Sequence, residues 1–270
     1  MILLADSGST KTSWRLLDSA TISQFETVGM NPRFVDEKEI QSILQDLDFS
    51  TEKVQEVFFY GAGCGSVESA KRLKMQLQNH FSEACVYVAS DLLAAAHATL
   101  GKHKGLVGIL GTGSNLGFYD GENLSVKVPS LGYVLGDEGS GSYLGRLLLS
   151  AYLRGELNEE LSRKIKVSKE EVLENIYQKT HPNRYLASFS PFVFRNRQDA
   201  QIAAIIQQNF ADWIERYVLP YQETKELTVV GSVAFYFNTE LKQVAKKYGY
   251  HITQVLENPI AALSLYYFEE

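Results

Sequence analysis

The chain has 270 residues, of which 45% are hydrophobic and 21% charged, and its 26 Lys and Arg against 32 Asp and Glu give a formal net charge of −6. This composition is typical of a globular protein of one large or two medium domains, and an acidic chain disfavours nucleic acid or an anionic membrane as a partner. The opening residues Met1 to Asp6 lack the features of a signal peptide, and no apolar run reaches membrane-span length. With only Cys64 and Cys85, the sequence predicts a cytoplasmic protein without a disulfide framework or a cysteine zinc site.

The first hundred residues predict alternating strands and helices. An apolar run at residues 2–6 ends in a Gly/Ser/Thr turn, and a second run at 14–17 completes a β-hairpin. A third strand is expected at 21–25. Helical spacing and apolar runs then predict, in order, a helix at 36–49, a strand at 57–60, a helix at 70–81, a strand at 85–89 and a helix at 91–100. Asp36 followed by Glu39 resembles a capping box.

The second part of the chain repeats this order. The hairpin turn at Gly113 lies 105 residues after the turn at Gly8, whereas the helix start at Asn258 lies 167 residues after its counterpart Asp91. The offset grows by 62 residues, which predicts a helical insertion at about 153–214. Later elements are strands at 227–230 and 252–255, a helix that Asn238 is expected to cap, and a last helix beginning at 258–259.

A duplicated β-β-β-α-β-α-β-α unit therefore predicts an α/β fold of two lobes with a cleft between them. The N-terminal lobe is expected over residues 1–103 and the C-terminal lobe over 104–257, with the final helix, 258–270, packing back onto the first lobe. A chance likeness between two α/β segments is the alternative.

The two hairpin tips are candidate phosphate sites, because successive backbone N–H groups in a tight glycine turn can hold phosphate oxygens. The candidate residues for ATP are Ser7, Gly8, Ser9, Thr10 and Lys11 in the first tip and Gly111, Thr112, Gly113 and Ser114 in the second, with the amide of Asn115 beside them. Plain β-turns have the same composition, so each tip alone favours an ordinary turn and only the matched pair favours phosphate.

Two aspartates follow strands in the first lobe. Asp6 ends the first apolar run, and a carboxylate beside phosphates requires a cation, for which Mg²⁺ held through water is the natural choice. Asp91 lies at a strand end and a helix start, where an ionised carboxylate could accept a hydroxyl proton. The alternatives are a solvated turn residue for Asp6 and a helix cap at Ser90 or Asp91.

Two further glycine turns lie in the second lobe. The loop at 136–141 places the acidic residues Asp137 and Glu138 between glycines, which suits sugar hydroxyls or merely an acidic helix start. Gly231 and Ser232 follow a strand and suit the flat face of an adenine, or form an ordinary turn.

These motifs resemble the acetate and sugar kinase, heat-shock ATPase and actin superfamily. They look most like its N-acetylglucosamine kinase branch, which belongs with the BadF/BadG/BcrA/BcrD ATPases. The resemblance rests on the strings at 6–12, 111–115 and 136–140. It implies two ribonuclease-H-like lobes, ATP with Mg²⁺, and phosphorylation of the 6-hydroxyl of an amino sugar.

The resemblance also implies roles for individual residues. Asp91 matches the catalytic base, Thr10 and Thr112 match phosphate contacts, and Gly231 with Ser232 matches the adenosine turn. Asn31 and Asp137 match sugar-binding residues, and Asp91, Asn115 and the stretch Ser130 to Gly132 are further candidates for contact with the sugar. A small-molecule amino sugar is the expected partner, and a homodimer is left open.

The stretch Ser130-Leu131-Gly132 departs from the Gly-Trp-Gly of the family at a place that touches the sugar. N-acetylglucosamine, N-acetylmuramic acid and glucosamine therefore all stay open as substrates. Two other functions remain as alternatives. One is an activator ATPase whose cysteines hold an iron–sulfur cluster between subunits, against which Cys85, within a strand, is expected to be a small core residue. The other is a sugar-sensing regulator of the same fold, although the sequence shows no DNA-binding helix-turn-helix.

Overall fold

The computed structural model describes residues 1–18, 21–32 and 34–268. The chain divides into two compact units. Unit 1 comprises Met1–Lys102 together with Asn258–Glu270, and unit 2 comprises His103–Glu257. The expected last helix, 258–270, thus belongs to unit 1, although its final residues, 269 and 270, lie outside the described residues.

Unit 1 is built on a five-stranded sheet with the strand order β3-β2-β1-β4-β5. Its strands are β1 (Ile2–Ser7), β2 (Lys11–Leu17), β3 (Ile22–Val28), β4 (Glu56–Gly61) and β5 (Cys85–Ser90). The first three strands are antiparallel neighbours, whereas β4 pairs parallel with both β1 and β5. The carboxyl ends of β1, β4 and β5 therefore meet at one edge of the sheet, where open α/β sheets bind ligands.

Helices cover both faces of this sheet. They are α1 (Glu37–Gln45), α2 (Val67–His80), α3 (Asp91–Leu100) and the last helix α13 (Ile260–Phe268), with a short 3₁₀ turn at Thr51–Lys53. The expected capping box is present, because Asp36 accepts a hydrogen bond from the Glu39 N–H and Glu39 accepts one from the Asp36 N–H, each 2.9 Å long. One core cluster includes Leu44 of α1 and Leu77 of α2, and the opposite cluster includes Leu263 of α13.

Unit 2 repeats the sheet with the order β10-β9-β6-β7-β8. Its strands are β6 (Gly105–Leu110), β7 (Ser114–Tyr119), β8 (Leu124–Ser125), β9 (Glu226–Val230) and β10 (His251–Leu256). As in unit 1, a hairpin is followed by a parallel partner on the other side of its first strand.

The helices of unit 2 lie mostly between β8 and β9. They are α4 (Gly132–Leu135), α5 (Gly141–Leu153), α6 (Glu159–Lys164), α7 (Lys169–Tyr177), α8 (Pro182–Ala187), α9 (Ser190–Arg195) and α10 (Ala200–Trp213), then α11 (Ser232–Tyr236) and α12 (Asn238–Lys247) after β9. The expected insertion at 153–214 is helical, and α10 continues as a π-helix over Ile214–Val218. The side chains of α5 and α10 join those of the sheet in one buried cluster.

Two expectations about local structure are wrong, and one helix was not expected. Asn238 does not cap its helix with its side chain, because it is the first residue of α12 and Phe237 occupies the cap position. The short helix α11 directly after Gly231 was not expected. Cys85, expected as a small core residue, is exposed at the first position of the edge strand β5. No described helix is both long and apolar enough to span a bilayer.

Candidate active site

The hairpin tip of unit 1 is closed by its own backbone. The Gly8 N–H donates to the Lys11 carbonyl at 2.9 Å, and the Gly29 N–H donates to the Thr10 carbonyl at 3.1 Å. Ser9 is partly exposed and Thr10 is exposed. The tip therefore presents the Ser9 and Thr10 side chains at the strand edge, as a phosphate site requires.

Two residues of the same tip are engaged within the fold. The Ser7 side chain is fully buried, its hydroxyl lies 2.8 Å from the Thr12 hydroxyl, and it accepts a hydrogen bond from the Met30 N–H at 3.0 Å. Lys11 points along the sheet and forms a 2.6 Å ion pair with Glu26. These contacts give Ser7 a role in fixing the tip and direct the Lys11 ammonium along the neighbouring strand.

Asp6, next to the last residue of β1, has an unusually high pKa. Burial, and after it the negative charge of Asp91, raises its pKa from 3.8 to about 7 against the opposing effect of Lys11. Its overall exposure is intermediate. A carboxylate that is costly to ionise in the bare protein would gain from a cation, because an opposite charge favours the charged form. The residue therefore fits a cation held nearby.

Asp91 begins α3 at the carboxyl end of β5. Ser90 is the helix cap, since its hydroxyl accepts a hydrogen bond from the Leu93 N–H at 3.3 Å. The Asp91 carboxylate accepts a hydrogen bond from the Leu92 N–H at 2.9 Å, at the N-terminus of α3. Its charge acts on Asp6, so the two carboxylates lie near each other within unit 1.

Asn31 lies in the same unit and is 5% exposed. A Cβ on Gly63 would come 2.2 Å from the Asn31 side-chain oxygen. There is therefore no space for a side chain at position 63. The loop after β4 thus packs directly on the Asn31 amide.

The two cysteines differ in their surroundings. Burial and the nearby charge of Asp91 raise the pKa of the Cys64 thiol to about 12, so the thiol is protonated at neutral pH. Cys85 is exposed. In the described residues no group of three or more His, Cys, Asp or Glu could hold a metal.

The hairpin tip of unit 2 is joined to a helix N-terminus. The Gly111 N–H donates to the Gly113 carbonyl at 3.0 Å. The first N–H groups of α5 then donate back to the tip, from Gly141 to the Gly111 carbonyl at 2.8 Å and from Ser142 to the Thr112 carbonyl at 3.1 Å. Thr112 keeps a partly exposed side chain. The tip is thereby fixed in place relative to α5.

Asp137 lies directly against this tip. Its φ angle of 58° is in the left-handed region, and one carboxylate oxygen accepts a 3.4 Å hydrogen bond from the Ser114 N–H. A Cβ on Gly113 would come 3.0 Å from the other oxygen. The buried Ser114 hydroxyl has no partner among the described residues, whereas the Asn115 side chain accepts from the Leu116 N–H at 3.0 Å.

The stretch that departs from the family pattern lies beside the same tip. The Ser130 hydroxyl donates to the Ser114 carbonyl at 3.3 Å. Leu131 is 54% exposed, and its Cβ lies 3.2 Å from where a Cβ on Gly136 would stand. Gly132 opens the short helix α4. The structure therefore brings this stretch together with Ser114 and the acidic loop.

The turn after β9 packs on the same hairpin. Gly231 has a φ angle of 122°, and a Cβ there would come 2.4 Å from the Leu110 carbonyl oxygen. Ser232 is exposed at the first position of α11. Only glycine fits this close backbone contact, which sets the turn beside the Gly111 tip.

Sequence reasoning missed the partners of the acidic loop. Glu138 is 4% exposed and pairs with Arg216, with 3.3 Å between the carboxylate oxygen and the guanidinium nitrogen. Tyr217, from the same π-helix, also contacts Glu138. Glu138 is thus held inside unit 2. No pattern around residue 216 signals this contact, because the two segments lie 78 residues apart.

Comparison with known proteins adds to this picture. A model of the BadF/BadG/BcrA/BcrD ATPase family matches residues 5–260. The chain is similar to the structure of a provisionally named N-acetylglucosamine kinase from Porphyromonas gingivalis, with 36% identity, a TM-score of 0.94, and coverage of 100% of this chain and 99% of that one. A comparison with curated proteins found no match.

Two more distant structures share the fold. A provisionally named N-acetylglucosamine kinase from Chromobacterium violaceum has 19% identity and a TM-score of 0.70 over 98% of both chains. A ROK family glucokinase from Streptomyces griseus, solved with glucose and AMPPNP, has 17% identity and a TM-score of 0.58 over 95% of this chain and 93% of that one. The expected α/β fold with two similar sheets is confirmed.

Proposed function

Because the chain belongs to the BadF/BadG/BcrA/BcrD ATPase family, we propose that it is an ATP-dependent kinase that phosphorylates the 6-hydroxyl of an amino sugar. The observation that carries this proposal is the likeness, over the full length, to a protein named as an N-acetylglucosamine kinase. The placement of Asp91 at the carboxyl edge of the unit 1 sheet supports it. We take N-acetylglucosamine or N-acetylmuramic acid as the substrate.

In this proposal Asp91 accepts the proton of the attacking sugar hydroxyl. The residue starts a helix, so its ionised form is favoured, and general bases of this kind contribute roughly 10²-fold or more to the rate. Thr10 and Thr112 contact the phosphates, and Gly231 with Ser232 receives the adenosine. Positioning of the phosphates and neutralisation of their charge supply most of the catalysis in phosphoryl transfer.

Magnesium bound with ATP neutralises the phosphates. Asp6 is the residue that would hold it, through water, since its carboxylate is destabilised by burial and by Asp91. Mg²⁺ usually keeps several waters and needs only one or two protein carboxylates.

The sugar would contact Asn31 and Asp137, with the stretch from Ser130 to Gly132 beside its acyl group. Leu131 in place of an aromatic ring offers less apolar surface and more space, which favours a larger acyl sugar such as N-acetylmuramic acid. The Ser130 proton already goes to the Ser114 carbonyl, so the Ser130 oxygen would serve as an acceptor for the substrate.

The first test is ADP release against N-acetylglucosamine, N-acetylmuramic acid, glucosamine and glucose. We expect an acylated amino sugar to give the highest kcat/KM. A wide preference for glucose would refute the acyl-sugar assignment, and a preference for N-acetylglucosamine over N-acetylmuramic acid would refute only the larger pocket. Leu131→Trp should then shift the preference toward the smaller acyl sugar.

The roles of single residues are tested with matched variants. Asp91→Asn should lower kcat by roughly 10²-fold or more and keep ATP binding, whereas Ser90→Ala, which removes only the helix cap, should cost about 1 kcal/mol of stability and keep turnover. Near-normal turnover of Asp91→Asn would leave it without a catalytic role. Thr10→Val or Thr112→Val should weaken ATP binding and spare sugar binding in calorimetry.

A further inference from the structure

The acidic loop of unit 2 lies on two aromatic side chains of one distant helix. A Cβ on Gly139 would come 2.8 Å from the Cβ and Cγ of Trp213, and a Cβ on Gly136 would come 2.9 Å from the Tyr217 hydroxyl. Trp213 and Tyr217 are 0% and 2% exposed. The two glycines that flank Asp137 and Glu138 are therefore explained by close packing on this pair, which we call the aromatic platform.

The Tyr217 hydroxyl is the polar end of the platform. It donates a hydrogen bond to the Glu138 carboxylate and accepts one from the backbone N–H of Asp137. Burial and the charges of Glu138 and Asp137 raise the Tyr217 pKa to about 12, so the hydroxyl keeps its proton throughout the neutral range. One side chain thus holds two consecutive residues of the loop.

Arg216 completes the arrangement from the solvent side. Its side chain is 60% exposed, while that of its partner Glu138 is 5% exposed. A buried carboxylate needs such partners, because an ionised group without them is costly in the interior. Both Arg216 and Tyr217 belong to the π-helix Ile214–Val218, a form of helix that is rare and frequent at functional sites.

Asp137 needs an external restraint. With His181 it is one of two non-glycine residues with a positive φ among the described residues. Such a conformation costs free energy and persists only where the surroundings fix it. The fixed conformation is what directs the Asp137 carboxylate to the Gly113 and Ser114 tip.

We propose that Tyr217, supported by Arg216, is a positioning residue that holds Asp137 against the hairpin tip and thereby sets the affinity for the sugar. The effect on the sugar rests on the proposed function, in which Asp137 contacts the sugar hydroxyls. The contacts described for Tyr217 and Arg216 reach Gly136, Asp137 and Glu138 and do not reach Thr112 or Gly231, so we expect a larger effect on the sugar than on ATP.

The test compares Tyr217→Phe with Tyr250→Phe, which removes the hydroxyl of another buried tyrosine of unit 2. The Tyr250 hydroxyl donates to the Tyr221 carbonyl at 3.0 Å and has no contact with the acidic loop among those described. Loss of a hydrogen bond to a charged group should raise the sugar KM and Kd of Tyr217→Phe roughly tenfold or more and leave the KM for ATP unchanged. Tyr250→Phe should change neither value.

A second measurement does not require sugar. In hydrogen exchange read by mass spectrometry, a peptide spanning residues 136–139 should exchange faster in Tyr217→Phe than in the wild type, and at the wild-type rate in Tyr250→Phe. Arg216→Lys, which keeps a cation near Glu138, should be closer to the wild type than Arg216→Gln in both measurements.

The outcomes separate the two proposals. Equal exchange in Tyr217→Phe and the wild type overturns the positioning role. Faster exchange with an unchanged sugar KM, or an equal loss for sugar and ATP, overturns the selective effect on the sugar. A wild-type protein that phosphorylates no sugar overturns the proposed function, whatever the exchange shows.

Discussion

Replacement of Asp6 by Asn should make unit 1 more stable at pH 8 and change its stability little near pH 4. Burial and the charge of Asp91 raise the Asp6 pKa from 3.8 to about 7. Below pH 3.8 the residue is protonated in both the folded and the unfolded state, and no penalty exists. As the pH rises, the unfolded state loses its proton first, so the free energy of unfolding falls until the folded residue ionises near pH 7.

The size of the effect follows from the shift. Each pKa unit corresponds to about 1.4 kcal/mol, so a shift of about three units is worth about 4 kcal/mol for a fully desolvated carboxylate. Asp6 is only partly buried, and solvent screening lowers the expected gain of Asp6→Asn to about 2 kcal/mol above pH 7.

The assay is urea unfolding at pH 4, 6 and 8 without nucleotide. Trp14 pairs with Ala5 in the unit 1 sheet, so its fluorescence follows unit 1 in a Trp213→Phe background. The exposed Asp48, replaced by Asn, serves as the control. A gain that is the same at every pH, or a loss of stability at pH 8, would refute the reasoning about Asp6.

Three further changes test other parts of the structure. Gly231→Ala places a Cβ 2.4 Å from a carbonyl oxygen at a φ of 122°, so it should lower the free energy of unfolding by about 3 kcal/mol. The control Gly111→Ala, with open space around the new Cβ, should change that free energy little. Equal effects of the two changes would contradict the close packing at Gly231. Asp36→Ala should cost about 1 kcal/mol by removing the capping box, and a change of zero in thermal unfolding would argue against it. Native protein should react with a thiol reagent at Cys85 only, and rapid labelling of Cys64 would contradict its burial and its pKa of about 12.

Much of the fold follows from local patterns in the sequence. The short apolar runs predict the strands, and the glycine turns at Gly8 and Gly113 predict the two hairpins. The capping box at Asp36 and Glu39 is formed by residues three positions apart, so sequence alone contains all of it.

The parts that sequence reasoning missed depend on distant residues. From the sequence, Glu138 is one of the acidic residues at a helix start. In the structure it is buried and contacts Arg216 and Tyr217 of another helix. Cys85 is in an apolar strand, yet it is exposed because β5 is at the sheet edge, a position that strand order decides. Helix α11 begins at once after Gly231 because the close backbone contact there redirects the chain.

The membership of α13 in unit 1 has a consequence for synthesis of the protein. Ile260 and Leu263 share a buried cluster with Leu4, Leu17 and Tyr60, so the part of the unit 1 sheet face that α13 covers stays exposed until the chain has been translated beyond residue 263. By then the ribosome has made all of unit 2, whose residues are continuous in sequence. Unit 2 can therefore complete its core before unit 1, whose sheet keeps part of one apolar face exposed until α13 has been made.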